Sequence, residues 1–340
     1  MKTTTSRIII ETMVRKAIRD IQDSPERSSR NLVDMALQFA TGRFQQHLFS
    51  AAQTMLQNEH SPYYGLIKDV VTHVDTDRIL SFGMNLGYNS CTMGAKTIRK
   101  LEETEKFNIP WNLHLNLSSV FFKENRTRYQ DLISQGENLG IFTWMLFYED
   151  YYYGYLSLAK EHPDSAFVLF IDHTDITASF MEDLLEINNI MLAVRYSEDA
   201  ASTCSMLREA KVPYSVYFVY HEKDLASILD GELFCIAEQL HPVFTALLAA
   251  PDCPPEVRKS VYEHISSARK EHLYQTIPWE TVSDSDFVDS IISNEACQAG
   301  FDSNGDFVTM TEYERIAGQN IFHKDLKDIL KDIYPKKTEV

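Results

Sequence analysis

Short apolar runs alternate with longer helical segments through the middle of the chain, and this rhythm constrains the fold more than any other feature. Each run has the length of a β-strand, and the segments between the runs have helical spacing. Successive strand–helix–strand units build parallel sheets through right-handed crossovers. We therefore predict one curled parallel sheet with its strands in sequence order. The predicted strands are residues 79–84, 111–117, 141–148, 167–171, 190–195 and 214–220.

The turns that follow the predicted strands narrow the class of α/β fold. None of them carries a glycine-rich dinucleotide fingerprint or a phosphate-binding loop. Nearly continuous apolar strands also fit a sheet that is covered on both faces. These features favour an α/β fold with a parallel (β/α) partial barrel of the aldolase type over a nucleotide-binding doubly wound sheet. The predicted helices are residues 94–105, 126–138, 151–161, 176–187, 199–210 and 223–249.

The two ends of the chain differ from this middle part. Ile10 and Val14 begin a helical stripe, and Ser24 followed by proline is a helix-start signal. Near the other end, prolines precede a charged helix predicted over 256–270, and a turn-rich segment follows. We predict an N-terminal helical region over 1–76, the partial barrel over 77–250 and a C-terminal extension over 251–340.

Charge and hydropathy exclude several classes of partner. The 340 residues include 49 acidic and 32 basic side chains, which gives a net charge of −17. Such a field repels phosphate backbones and anionic lipid, so we expect neither a nucleic-acid nor a membrane partner. No apolar stretch reaches spanning length, and the N-terminus lacks a signal-peptide pattern. The five cysteines form no CxxC pair. We expect a cytoplasmic protein with no local zinc site.

Residues 84–95 resemble a known cofactor motif. They read Met-Asn-Leu-Gly-Tyr-Asn-Ser-Cys-Thr-Met-Gly-Ala and follow the first predicted strand. This segment resembles the CxxxCxxC motif of the radical S-adenosylmethionine (radical SAM) family, with Gly87, Cys91 and Gly94 at the three cysteine positions. In that family the three thiolates hold a [4Fe–4S] cluster.

The end of the chain resembles the same family a second time. Radical SAM enzymes with a SPASM or Twitch extension often end in a cysteine and glycine, a hairpin around Asp-Gly, then Gly-Asn-Ile and a short helix. Here Cys297 to Gly300 precede a hairpin predicted over 302–308, and Gly318 to Ile321 precede a helix. The Asn304-Gly305 pair favours this hairpin over a calcium loop. The resemblance covers residues 78–332.

The departures from the family pattern determine the predicted chemistry. Glycine offers no ligand atom, and one thiolate cannot hold a cluster that needs three or four. The family's Gly-Gly-Glu run, which meets the amino group of S-adenosylmethionine, corresponds to Leu117-Ser118-Ser119, which has no carboxylate. The resemblance thus implies a radical SAM-like protein with neither the [4Fe–4S] cluster nor S-adenosylmethionine, which acts as a non-catalytic binding or accessory subunit. Its implied partner is a peptide or an intact radical SAM enzyme.

Two other functions remain open from the residues. The first is an enzyme with acid–base or metal-assisted chemistry at the carboxyl ends of the strands. The second is an unrelated α/β interaction protein. The tyrosine-rich stretch 147–155 is either a peptide-binding surface or the edge of the core.

Polar residues on the second predicted strand and at the strand ends are the candidates for a ligand pocket. On 111–117, polar residues alternate with Trp111, Leu113, Leu115 and Leu117, so the polar face points away from the helices. Barrel sites gather at the carboxyl ends of the strands. The alternatives are a polar network closed on itself and solvated loop residues. Eight residues are the pocket candidates, Asn112, His114, Asn116, Glu149, Asp172, His173, Arg195 and His221. Asn85 is a further candidate at a strand end.

Overall fold

The computed structural model describes residues 5–40 and 42–336 and is built from α-helices and a mostly parallel sheet of ten strands. The helices are α1 Thr5–Asp23, α2 Pro25–Phe39, α3 Arg43–Gln57, α4 Pro62–His73, α5 Thr76–Met84, α6 Ala95–Glu105, α7 Ser119–Leu139, α8 Leu156–Glu161, α9 Ala178–Leu184, α10 Ala200–Glu209, α11 Leu225–Leu229, α12 Glu232–Glu238, α13 Pro255–Glu271, α14 Thr281–Ser293 and α15 Leu326–Ile333. The strands are β1 Asn112–Leu117, β2 Thr143–Tyr148, β3 Ala166–Ile171, β4 Ile190–Arg195, β5 Tyr214–Tyr220, β6 Phe244–Ala249, β7 Ile277–Glu280, β8 Ala299–Phe301, β9 Asp306–Val308 and β10 Arg315–Asn320.

The chain divides into two compact units. The first unit is Met1–Thr41, Gln45–Leu80 and Met191–Asp284, and the second unit is Gly42–Phe44, Ser81–Ile190 and Ser285–Val340. In the second unit the strand order is β10-β9-β8-β1-β2-β3, with β9 antiparallel to both of its neighbours. In the first unit β4 to β7 are parallel and follow sequence order.

The sheet confirms the predicted α/β class and the parallel, sequential arrangement of β1–β3 and of β4 and β5. It is not a closed barrel. The turn at Asn304-Gly305 forms as predicted: Gly305 has a φ of +80°, and the side chain of Asp302 accepts hydrogen bonds from the N–H groups of Asn304 and Asp306. Among the described residues, no helix has the length and hydropathy needed to cross a membrane.

The predicted strand over 79–84 is wrong, because these residues belong to α5. The carboxylate of Asp75 accepts the N–H groups of Asp77 and Arg78, which are the free donors of a helix start. Leu80 and Met84 lie four residues apart and are both buried, as on one face of a helix. The apolar run therefore forms the buried side of a helix.

The predicted helix over 223–249 is correct only in its first half. Residues 244–249 form the buried strand β6 instead, and β7 was not predicted at all. The sequence Phe-Thr-Ala-Leu-Leu-Ala of β6 contains good helix formers, but pairing with β5 and β7 places it inside the sheet. Tertiary packing overrides local propensity here.

The two faces of the second unit's sheet differ in polarity. On one face Leu113, Trp144 and Phe167 are register neighbours with no exposed surface. Trp144 packs on Gly136 of α7, so this face meets the helices. Alternation along β1 puts Asn112, His114 and Asn116 on the opposite face. There Asn116 and its register neighbour Phe147 are half-buried.

Candidate functional site

The segment that carries Gly87, Cys91 and Gly94 is helical. Asn85–Gly94 is a π-helical segment that continues α5 into α6. Cys91 is buried, and burial raises the pKa of its thiol to about 12. Because iron binds the thiolate, this environment disfavours the ligand form.

Position 94 has no room for a side chain. A Cβ atom added to Gly94 would lie 2.3 Å from the carbonyl oxygen of Gly140 and 2.9 Å from that of Asn89. Gly140, with a φ of +100°, ends α7, so the two glycines let two backbones touch. A cysteine at position 94 would collide with backbone atoms. The close approach of the two backbones therefore explains why position 94 is a glycine.

The π-helical segment lies at the amino ends of the strands. The hydroxyl of Thr143, the first residue of β2, donates to Ser90 Oγ at 3.0 Å. The amide of Asn85 donates to the carbonyl of Ser165, directly before β3, at 2.9 Å. Sites in α/β barrels gather at the opposite, carboxyl ends. The segment thus precedes β1 and does not follow the first strand as the resemblance implied. Gly87 and Gly94 carry no ligand atom, and the one thiol of the segment, that of Cys91, is buried. The side-chain hydrogen bond of Asn85 connects this segment to the turn before β3.

Three rings form an aromatic row on the polar face of β1–β3. His114 stacks on Phe147 with ring centroids 5.8 Å apart, and Phe147 stacks on Phe170 at 4.2 Å. The His114 side chain is 3% exposed, and burial lowers the pKa of its imidazole to about 4. The imidazole is therefore neutral at physiological pH, so one of its nitrogens can donate a hydrogen bond and the other can accept one.

Buried polar atoms without partners lie along the same face. Neither ring nitrogen of His114 has a hydrogen-bond partner among the described residues, and the same holds for Asn112 Oδ1. The amide nitrogen of Asn112 is satisfied, since it donates to Ser285 Oγ at 3.1 Å. Leaving such atoms unpaired costs about 1–3 kcal/mol each. This face therefore suits water or a ligand with both donor and acceptor groups.

The carboxyl ends of β2 and β3 carry three predicted site residues, and each contacts another polar side chain. Glu149 is exposed and accepts the hydroxyl of Ser303 at 2.6 Å. Asp172 accepts the N–H and the hydroxyl of Thr174. His173 Nδ1 lies 3.2 Å from Asp172 Oδ1.

Arg195 and His221 belong to the first unit. Arg195 is exposed at the end of β4. His221 follows β5, its Nδ1 lies 3.1 Å from Asp252 Oδ1, and its N–H is accepted by Asp224. That all eight candidates line one pocket stays a prediction.

Buried carboxyl groups are the feature that the sequence patterns missed. In the first unit Glu280, at the end of β7, accepts the hydroxyl of Tyr220 at 3.3 Å, and burial raises the pKa of Glu280. In the second unit Asp289 accepts the N–H groups of Trp111 and Cys297. Burial raises the pKa of Asp289 far above its ordinary value. Tyr220 and Trp111 lie 60 and 178 residues away from the carboxyls that they contact, so no local signal could have revealed these two contacts.

The fold is similar to solved structures of Streptococcus suis SuiB. No family model matches the sequence, and no curated protein matches it. Streptococcus suis SuiB bound to S-adenosylmethionine matches with a TM-score of 0.50 and 13% identity over 69% of this chain. The chain spans 66%, just under two thirds, of that SuiB chain. SuiB bound to precursor peptide SuiA matches with a TM-score of 0.49 and 13% identity, over 69% of this chain and 67% of that one. The similarity to the first structure supports a SuiB-like fold for this chain.

Proposed function

We propose that this chain is a radical SAM-like protein that assembles no [4Fe–4S] cluster and serves as a binding or accessory subunit. The observation that carries the proposal is the close contact of Gly94 with Gly140, which leaves no space for a cluster ligand. The buried thiol of Cys91 and its place at the amino ends of the strands support the same conclusion.

The proposed ligand is a peptide that binds on the polar face of β1–β3. The ring nitrogens of His114 and the Oδ1 atom of Asn112 have no hydrogen-bond partner among the described residues. A peptide group would supply both a donor and an acceptor for them. The aromatic row His114, Phe147 and Phe170 offers a surface for an apolar or planar side chain of the same peptide. SuiB has been solved with its precursor peptide SuiA. For the present chain, the peptide is proposed from the chemistry of this face.

Anaerobic reconstitution with iron and sulfide tests the absence of the cluster. We expect no stoichiometric iron and no thiolate–iron absorption band, because the positions that would hold the cluster supply one buried thiol. Cys91→Ala should keep the same iron content and the same fold. Stoichiometric iron with a thiolate–iron absorption band in the wild type would overturn the proposal, and its loss in Cys91→Ala would identify Cys91 as a ligand.

Thermal melts with a library of short peptides test the ligand site. A peptide that binds the folded state should raise the Tm of the wild type. We expect His114→Leu to abolish this increase, because the substitution removes both hydrogen-bonding nitrogens, and Asp172→Asn to reduce it. His264→Leu is a matched control, since His264 in the first unit also stacks on a phenylalanine ring, that of Phe234. An unchanged response in His114→Leu would refute this site.

An acid–base enzyme is the second candidate, and it is favoured by the Asp172–His173 pair at the end of β3. Against it, the same oxygen of Asp172 already accepts two hydrogen bonds from Thr174. His173→Ala separates the candidates in the peptide assay. Mass spectrometry of the peptide after incubation gives the readout: a binding subunit leaves the peptide unchanged, whereas an enzyme converts it in the wild type and not in His173→Ala.

A further inference from the structure

The second unit contains a groove that is separate from the aromatic row. Its volume is about 440 Å³, and it lies among α7, α8, the end of α9 and the tyrosine-rich stretch. Three cations and two tyrosines are among its lining residues. The residues that matter below are Lys123, Arg126, Tyr152, Tyr153, Lys160 and Asp183.

The charge of this groove differs from that of the whole chain. Three cations and one carboxylate line it, although the net charge of the protein is −17. Arg126 and Lys160 each make an exposed ion pair, with Glu161 and Glu186 respectively. Exposed pairs are weak, so an incoming carboxylate can share these cations. Lys123 makes no ion pair with any described residue, and its ammonium lies 4.4 Å from the centre of the Tyr152 ring.

The tyrosine wall is held in place by packing. A Cβ atom added to Gly154 would lie 2.3 Å from the Tyr152 ring, so only glycine lets this ring lie against the backbone. Phe122 and Tyr155 contact the same ring edge-on, at centroid distances of 6.0 and 5.6 Å. The next ring, Tyr153, is 60% exposed and 4.7 Å from Tyr152. A preorganised aromatic surface with an exposed ring loses little entropy when it binds a partner.

We propose that this groove binds an acidic segment of a partner polypeptide. Its carboxylates would meet Lys123, Arg126 and Lys160, and an aromatic or apolar side chain would pack on Tyr152 and Tyr153. Charge complementarity selects an acidic partner, and the aromatic wall selects a peptide over a small inorganic anion. This inference does not depend on the site at His114.

Fluorescence anisotropy with a labelled peptide of glutamate and phenylalanine tests the proposal. A peptide of the same length with glutamine in place of glutamate is the charge control. We expect the acidic peptide to bind about tenfold more tightly, and added salt to reduce this difference. Lys123→Glu should weaken binding of the acidic peptide about tenfold. Tyr153→Ala should weaken binding of both peptides, since it removes the stacking surface.

Controls separate the groove from general charge effects and from the His114 site. Lys259→Glu changes an exposed lysine on α13 of the first unit and should leave binding unchanged. His114→Leu should also leave it unchanged. The proposal fails if the wild type binds neither peptide or binds both equally. It also fails if Lys123→Glu has no effect, or if inorganic tripolyphosphate displaces the peptide as well as the unlabelled peptide does.

Discussion

At the residue scale, Gly94 and Gly140 let the end of the π-helical segment touch the end of α7. Each Cβ position is blocked by the other residue's carbonyl oxygen, at 2.3 Å for Gly94 and 2.6 Å for Gly140. These atoms belong to the backbone and cannot rotate away as a side chain would. The contact therefore explains the glycine at position 94 by packing. It also shows why a sequence motif alone is a poor guide to a lost ligand.

Gly94→Ala should destabilise the protein, because its methyl group forces two backbones apart. Overpacking of this kind costs about 1–3 kcal/mol. Gly87→Ala is the matched control in the same segment, since its Cβ would have no neighbour within 4 Å. Alanine there should be neutral or stabilise by about 0.5–1 kcal/mol. Urea unfolding of both variants measures the difference, and equal stabilities would contradict the packing explanation.

At the element scale, a strand could be predicted from the sequence where its local apolar pattern and the turns beside it match its buried position in the sheet. β1 to β5 read as short apolar runs, and the structure places all five in parallel sheet. Residues 79–84 have the same local pattern, but the Asp75 cap and the burial of Leu80 and Met84 make them helical. β6 shows the reverse case, a helix-forming sequence held in a strand by both neighbours.

The same reasoning explains how much of the site could be predicted. Alternation along β1 correctly separated the face of Asn112, His114 and Asn116 from the face that meets α7, because a strand has a period of two. The stacking of His114 on Phe147 depends on which strand is the neighbour and on its register. The carboxyl of Asp289 accepts from Trp111, which lies 178 residues away in the sequence. Such contacts follow from tertiary structure and leave no periodic signal.

At the scale of the whole molecule, buried ionisable groups whose pKa values are shifted make the stability of the fold depend on pH. Two such groups, with pKa shifts of opposite sign, act in opposite directions. Burial raises the pKa of the Asp289 carboxyl above its unfolded value. Between the unfolded and the folded pKa of this carboxyl, the folded state binds more protons than the unfolded state. The free energy of unfolding therefore falls as the pH rises through that range. His114 acts oppositely. Its pKa falls from 6.5 to about 4, so its contribution is present above 6.5 and is lost on acidification below that value.

Asp289→Asn should therefore reduce the slope of the unfolding free energy against pH. Its raised pKa makes the wild type lose stability as the pH rises above the unfolded carboxyl pKa of about 4. Asparagine cannot ionise, so the variant should lack this part of the slope whatever its absolute stability. Asp131→Asn, at an exposed position of α7 in the same unit, should keep the wild-type slope. Urea unfolding between about pH 5 and about pH 8 measures the slopes. If Asp289→Asn and the wild type show the same slope, the carboxyl of Asp289 is already ionised in the folded state over this range, and its pKa is not raised.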